Sequence, residues 1–375
     1  MTIARPFPRR YRVWALVLAC VGVVAAAAPS QAAAAHSFVG PFNNVQTLAS
    51  TVPVNGDLNP YGVAVVPRTI GSLTAGDTLV SNFNNSSNQQ GLGSTIVEVS
   101  PTGDVTPFAS LSPLPSPLQC PGGVGLTTAL VALRSGFVIV GSLPTSDGTS
   151  GTTMAGCLIV IDPSGNPVET IFGDPINGPW DMTAVDEGST ATLFVTNVLN
   201  GTVDASPNVV FGGTVVRIGL SLVGAPTVTS ETVIGQGFPE RTDPNALVVG
   251  PTGVGFSKGT LYVADSAANR VAAISKALTR TSPASGSTVT TGGAINDPLG
   301  LAIAPNGNIL TTNGDDGNLV ETAPNGKQVA VKMLDTSQVP GSPNGFGTLF
   351  GLAVVPDGSG VYFVDDGTNT FNILH

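Results

Sequence analysis

The chain has 375 residues and a formal net charge of −10; only 10% of the residues are charged, while Gly (47) and Pro (30) abound. So little charge excludes an architecture of long surface helices, whose wet faces need Glu, Lys and Arg. An apolar fraction of 42% excludes global disorder and leaves a turn-dense all-β protein.

The first 35 residues have the pattern of a secretory signal peptide. Arg5, Arg9, Arg10 and Arg12 precede an apolar run from Val13 to Ala28, and a small-residue stretch follows from Ser30 to Ala35. The run has 16 residues, short for a membrane span. Cleavage is expected between Ala32 and His36, with the mature protein secreted or periplasmic. Arg9-Arg10 raises the twin-arginine route, but Arg12 interrupts the apolar continuation. Val17-Leu18-Ala19-Cys20 resembles a lipobox, although the apolar run continues well past Cys20, which argues against a lipoprotein. The leader holds four of the 14 basic residues and none of the 24 acidic ones, so a mature chain carries ten bases against 24 acids. Such an excess disfavours nucleic acid and anionic lipid as partners. No stable membrane span is expected, and a monomer is. Once Cys20 leaves, Cys120 and Cys157 remain, and an even pair in an exported protein reads as a disulfide.

Downstream, one short pattern recurs six times. It begins with Pro60-Tyr61-Gly62-Val63 and Pro121-Gly122-Gly123-Val124, continues with Pro179-Trp180-Asp181-Met182 and Pro251-Thr252-Gly253-Val254, and ends with Pro298-Leu299-Gly300-Leu301 and Leu349-Phe350-Gly351-Leu352. The third positions lie 61, 58, 72, 47 and 51 residues apart, so one unit is repeated with loop insertions. Each copy leads into a turn, then into an apolar strand that ends in Asn, Ser or Asp, such as Leu261 to Asp265. Third and fourth strands follow, as in Thr95 to Val99 and Val105 to Ala109. Four short strands per unit of roughly 50 residues is the signature of a propeller blade.

The last unit supplies only three strands before His375, and Asn44 to Ser50 resembles a fourth strand. The expectation is an all-β, six-bladed β-propeller over residues 36–375, closed by an N-terminal strand, with blades beginning near 59, 120, 178, 250, 297 and 348. Closure removes free edges that would otherwise template aggregation.

The run Leu261-Tyr262-Val263-Ala264-Asp265-Ser266-Ala267-Ala268-Asn269-Arg270-Val271 resembles an NHL repeat, and Pro298 to Ala302 resembles the opening of one. As architecture the resemblance spans the mature chain; as a close motif it covers the fourth blade. NHL-type and gluconolactonase-like propellers include lactonases, lyases and pure binding modules, so the fold does not choose the function.

Ligand sites in such propellers usually sit over the channel, on the face where first strands start and second strands end. Three features converge there. Long loops rich in Asn, Ser, Thr and Gly follow the second strands of blades one to three, at Phe83 to Ser94, Leu143 to Gly156 and Val198 to Gly213. They would form a polar crown suited to neutral, hydrogen-bonding ligands such as sugars. Cys120 and Cys157 map to the same face and would pin the blade-two loop. Second-strand ends form a ring, Asn82, Ser142, Asn197, Asp265, Asn313 and Asp365, which could gather oxygen donors around Ca²⁺ or simply cap the turns that follow. Finally, the third repeat position is Gly except at Asp181, which adjoins Trp180, the only Trp of the mature chain. An aromatic beside a carboxylate suits a sugar or a cation, with both side chains expected at the channel mouth.

The histidines, His36 and His375, stand at the two ends, so a Ser-His-Asp triad, a His-rich zinc site and a His-dependent lyase are disfavoured. No phosphate-cradling motif is present. The leading expectation is an exported propeller that binds a small molecule, glycan or protein partner at the mouth, without catalysis and without a cofactor. The candidate binding residues are Trp180, Asp181, Asn82, Asn197, Asp265, Asn313 and Asp365. The alternative is a Ca²⁺-dependent lactonase-type hydrolase using Asp181 with Asn197, Asp243 or Asn313. That family wants a Glu on an inner strand; none stands near a first-strand start, and Glu240 is the nearest substitute.

Overall fold

The computed structural model describes residues 1–2, 36–198, 208–243 and 246–375. The leader 3–35, with the expected cleavage site and Cys20, lies outside the described residues, as does part of the blade-three loop. Residues 35–375 form one unit, built of six antiparallel sheets arranged as propeller blades. Among the described residues the only helical pieces are single 3₁₀ turns at Ser150–Thr152 and Ser266–Ala268. No helix among them is long and apolar enough to cross a membrane.

The order within a blade is the same throughout. In blade one it is Leu58–Val65, Thr78–Asn84, Thr95–Val99 and Val105–Ser110, from the axis outwards. The second strand is buried at every residue, because neighbouring blades cover both its faces, while the outermost is half solvated. That is why second strands read as unbroken apolar runs rather than alternating ones. The core is correspondingly divided among the blade interfaces. Leu79 and Ile96 of blade one, for example, pack with Leu130, Val140 and Ile159 of blade two.

The last blade closes as expected. Val45–Ser50 pairs with the final strand Thr370–Leu374, Val45 opposite Leu374 and Ser50 opposite Thr370. Just before it, residues 37–39 clasp blade five. Ser37 Oγ and the Phe38 and Val39 amides donate to the buried Glu321 carboxylate at 2.6, 2.7 and 2.9 Å.

Each first strand carries a bulge after its first repeat position. Pro60 faces Asn82, yet Val63 faces Val80, so one residue is extra. The same slip follows Pro179, Pro251, Pro298 and Leu349. A bulge re-aims the side chains around it. It lets the second and third positions line different parts of the channel.

Blade two departs from the sequence reading. Leu126 faces Ser142 as Pro60 faces Asn82, so the true repeat copy starts at Leu126, not at Pro121. Counted from Leu126, its second and third positions are Thr127 and Thr128; the bulge here is one residue longer than in the other blades, since Leu130 faces Val140. The Pro121-Gly122-Gly123 match is a turn that imitates the repeat, whereas the true copy has neither Pro nor Gly at those positions. The third position is therefore Gly62, Thr128, Asp181, Gly253, Gly300 and Gly351, with two exceptions rather than one. Glycine is required by crowding: a Cβ on Gly300 would stand 2.1 Å from the Phe350 carbonyl oxygen, and one on Gly351 2.2 Å from that of Tyr61.

Candidate functional site

The axis holds an aromatic layer. Tyr61 stacks between Phe83 and Phe350, with ring centroids 4.5 and 3.9 Å away, and Trp180 meets Tyr61 edge-on at 5.8 Å. Second positions Tyr61, Trp180, Leu299 and Phe350 floor a cavity of about 780 Å³ on the mouth side. Third positions Asp181, Gly300 and Gly351 line a separate cavity of about 350 Å³ at the other end. The bulge thus parts two residues expected together. Trp180 faces the mouth cavity, and Asp181 faces the far one.

The mouth walls are polar and acidic. Of eight non-glycine residues with positive φ among the described residues, five line this cavity: Asn59, Asn88, Asn269, Asp297 and Asn369, at φ between 48° and 63°. Asn and Asp tolerate the left-handed region better than other side-chain-bearing residues, and such conformations concentrate at functional sites. Four of them form two matched joints. The Asn59 amide donates to Asn369 Oδ1 at 2.7 Å, and the Asp297 amide to Asn269 Oδ1 at 3.0 Å. In each joint a left-handed residue just before a blade's first proline is pinned by the left-handed Asn of the preceding blade.

Thr227–Asp243 of blade three runs on past its sheet and turns back through Leu247–Val249, which sets Arg241 and Asp243 on the wall as an ion pair. Arg241 is the one basic side chain on the lining among the described residues. Burial, then the nearby Asp315 and Asp243 charges, push Asp297 up to about 7 against the pull of Arg241. Burial, then Asp365 and Asp335, raise Asp366 well above its ordinary value. Burial and Asp366 raise Tyr61 likewise. The cavity therefore offers an apolar aromatic floor, a collar of carboxamides, and carboxylates whose proton affinity is raised, Asp297 to about 7.

The ring of second-strand ends is placed differently. Asn82 donates to the Thr51 carbonyl at 3.1 Å, and Asn197 Oδ1 accepts from the Asn177 and Gly178 amides. Asp265 pairs with Arg270 at 2.8 Å, Asn313 donates to Asp316 at 2.9 Å, and Asp365 accepts from the Thr368 amide at 3.0 Å. All five are buried, hold turns, and stand outside the lining of the mouth cavity. Asp243 is on the lining; Glu240, buried on the same strand, is not. Cys120 and Cys157 are disulfide-bonded. Blade two contributes nothing to the lining. Its loop leans on that of blade one instead, Thr145 Oγ1 donating to the Gln90 carbonyl at 2.7 Å. The walls come mostly from short turns of blades four to six, from Asn84, Asn88 and Gln90 of blade one, and from the Arg241 hairpin. Sequence reasoning missed Asp297, Asp315, Asp366 and the four Asn of the joints and collar. Asn59-Pro60 and Asp297-Pro298, each directly before a repeat copy, were the available signal.

No family model and no curated protein matches the chain. Solved structures share its fold. A luciferin-regenerating enzyme superposes with a TM-score of 0.56 at 11% identity, over 88% of this chain and 95% of that one. A gluconolactonase from Xanthomonas campestris gives 0.54 at 11% identity, over 88% of each chain. Regucalcin from Agrobacterium tumefaciens, a calcium-binding protein, gives 0.53 at 12% identity, over 88% and 93%. The chain is thus a six-bladed propeller of the gluconolactonase and regucalcin type of fold. At these identities the likeness is one of architecture.

The resemblance implies a calcium centre over the channel. The residues present do not fit one. The second positions carry no carboxylate, four of them being Tyr61, Trp180, Leu299 and Phe350. Among the described residues no three His, Cys, Asp or Glu side chains converge into a metal-holding group.

Proposed function

We propose that the mouth cavity binds a small, hydroxyl-rich molecule, such as a sugar or sugar derivative, without chemistry of its own. The observation that carries this reading is the collar of left-handed Asn and Asp residues around an aromatic floor. Aromatic faces suit the C–H faces of a sugar, while carboxamides and carboxylates pair with its hydroxyls. A volume of about 780 Å³ is within the usual range for small-molecule sites. The test is a panel of saccharides, sugar acids and sugar lactones titrated against the mature chain. A binder is expected to shift Trp180 emission and to bind at least tenfold more weakly to Asp297→Asn. Failure of the whole panel overturns the reading.

A lactonase-type hydrolase is the second reading, favoured by the shared fold with gluconolactonase and by Asp297. A carboxylate near 7 is poised to take a proton from water attacking a lactone carbonyl. Arg241, on the same wall, would stabilise the oxyanion. Turnover of a lactone, unaffected by EDTA and lost in Asp297→Asn, would establish it in place of simple binding. Turnover abolished by EDTA would show instead that a metal is held despite the donor set.

A further inference from the structure

The far end of the channel holds a carboxylate that the mouth cavity does not use. Asp181 occupies the third repeat position, where four other blades carry glycine, so the fold itself asks for no acid there. Its amide takes the hydrogen bond that Gly62 and Gly300 make: Asp181 N to Thr196 Oγ1 at 3.0 Å, like Gly62 N to Ser81 Oγ and Gly300 N to Thr312 Oγ1. The side chain is therefore an addition to a conserved backbone arrangement within this chain. One oxygen accepts from the Val254 amide at 2.9 Å, and the side chain lines a cavity of about 350 Å³.

Aliphatic side chains ring that cavity, with Thr128, Thr183, Asp181 and Asp186 as the polar side chains on its lining. Val63, Leu130, Val254, Leu301 and Leu352 stand around it, one or more from each of five blades. Among the described residues no Lys, Arg or His is on the lining. The other acid there, Asp186, already accepts from the Arg134 and Gly188 amides at 2.6 and 2.8 Å. A carboxylate in a concave, partly dry site is costly unless donors or a cation compensate it. Backbone amides alone leave Asp181 held up to about 7 by burial, so a cation there would favour its charged form.

We propose that the far cavity is a second binding site, for a compound with an ammonium head and a small apolar body, the head on Asp181 and the body against the aliphatic ring. The size is at the low end of the range for small-molecule pockets. The site is independent of the reading given for the mouth, since the aromatic layer lies between them.

Calorimetric titration at pH 8 with benzylammonium, and with benzyl alcohol as the neutral isostere, tests it. Benzylammonium is expected to bind at least tenfold more tightly than the alcohol. Asp181→Asn should erase that difference, and Asp297→Asn in the mouth should leave it intact. Ala353→Trp, which fills the half-exposed far end without touching the carboxylate, should also abolish binding and stands in if Asp181→Asn fails to fold. Equal binding of the two probes, no binding of benzylammonium, or loss of binding in Asp297→Asn but not in Asp181→Asn would overturn the proposal.

Discussion

Asp297 is held in place by neighbours rather than by its own preference. It lies at φ 51° before Pro298, its amide pinned by Asn269 and its carboxyl beside Gly314, where a Cβ would come within 2.6 Å. Its folded-state value of about 7 is above the ordinary 3.8. The folded protein therefore binds this proton more readily than the unfolded chain, and stability falls as pH rises from about 4 to about 7. Asp297→Asn is expected to be neutral at pH 4 and more stable than wild type at pH 8, by roughly 1–2 kcal/mol given partial solvent access. Thermal melts at the two pH values check the sign. Glu321 behaves oppositely. Burial alone would raise it, but donors from Ser37, Phe38, Asn308 and Val39 outweigh that and hold it below the ordinary value. Its contribution is present above the usual Glu range and is lost as pH falls through the folded value. Glu321→Gln presents a donor to these donors and should cost about 2–4 kcal/mol in urea unfolding at pH 7. That deficit should shrink towards pH 3.

The strand Val45–Ser50 and the clasp before it act as one element. Without them Thr370–Leu374 becomes an open edge, and Glu321 loses three of its hydrogen bonds. Deleting residues 36–52 should lower the melting temperature by at least about 10 °C. An unchanged melt would show that the ring closes by other means. The disulfide is the second device at this scale. It joins residues 37 apart in sequence, for which loop-closure entropy gives up to about 4 kcal/mol. Cys120→Ser, at the half-buried partner, should lose most of that in denaturant unfolding without emptying the core around Cys157.

Across the whole molecule the blades are tied at the axis in two ways. Hydroxyls reach from one blade to the next backbone: Ser81 to the Thr127 carbonyl at 2.9 Å, Thr196 to Thr252 at 2.8 Å, Thr312 to Phe350 at 2.7 Å. The aromatic layer then joins blades one, three and six through Tyr61, Trp180 and Phe350. Trp180 is 1% exposed, so Trp180→Ala leaves a large hole at a point that serves three blades. It should cost about 3–5 kcal/mol, read in urea unfolding, and should merge the two cavities. If the far site then admits ligands that the wild-type layer keeps in the mouth, benzyl alcohol and benzylammonium lose their discrimination.

The six blades, the closing strand and the cysteine pair were legible in the sequence because each is written in local pattern: a repeated Pro-x-Gly, apolar runs ended by Asn or Asp, a spare strand at the start, two cysteines left over. Local pattern also misled. Pro121-Gly122-Gly123 looks like a repeat copy, and only the pairing of Leu126 with Ser142 shows that the copy starts later. The second-strand ends lie at equivalent positions in every unit, which made them look like a ring of ligands, but their side chains are spent on neighbouring turns and loops, upstream for Asn82 and Asn197 and downstream for Asp265, Asn313 and Asp365. Trp180 and Asp181 are adjacent in sequence, yet a one-residue bulge sends them to opposite cavities. The mouth itself depends on joints such as Asn59 with Asn369, which are 310 residues apart. Strand and turn propensities act between near neighbours, so the chain by itself specifies the blade. Which side chains share a cavity is decided by ring closure and by bulge geometry, and these exist only once all six blades are packed.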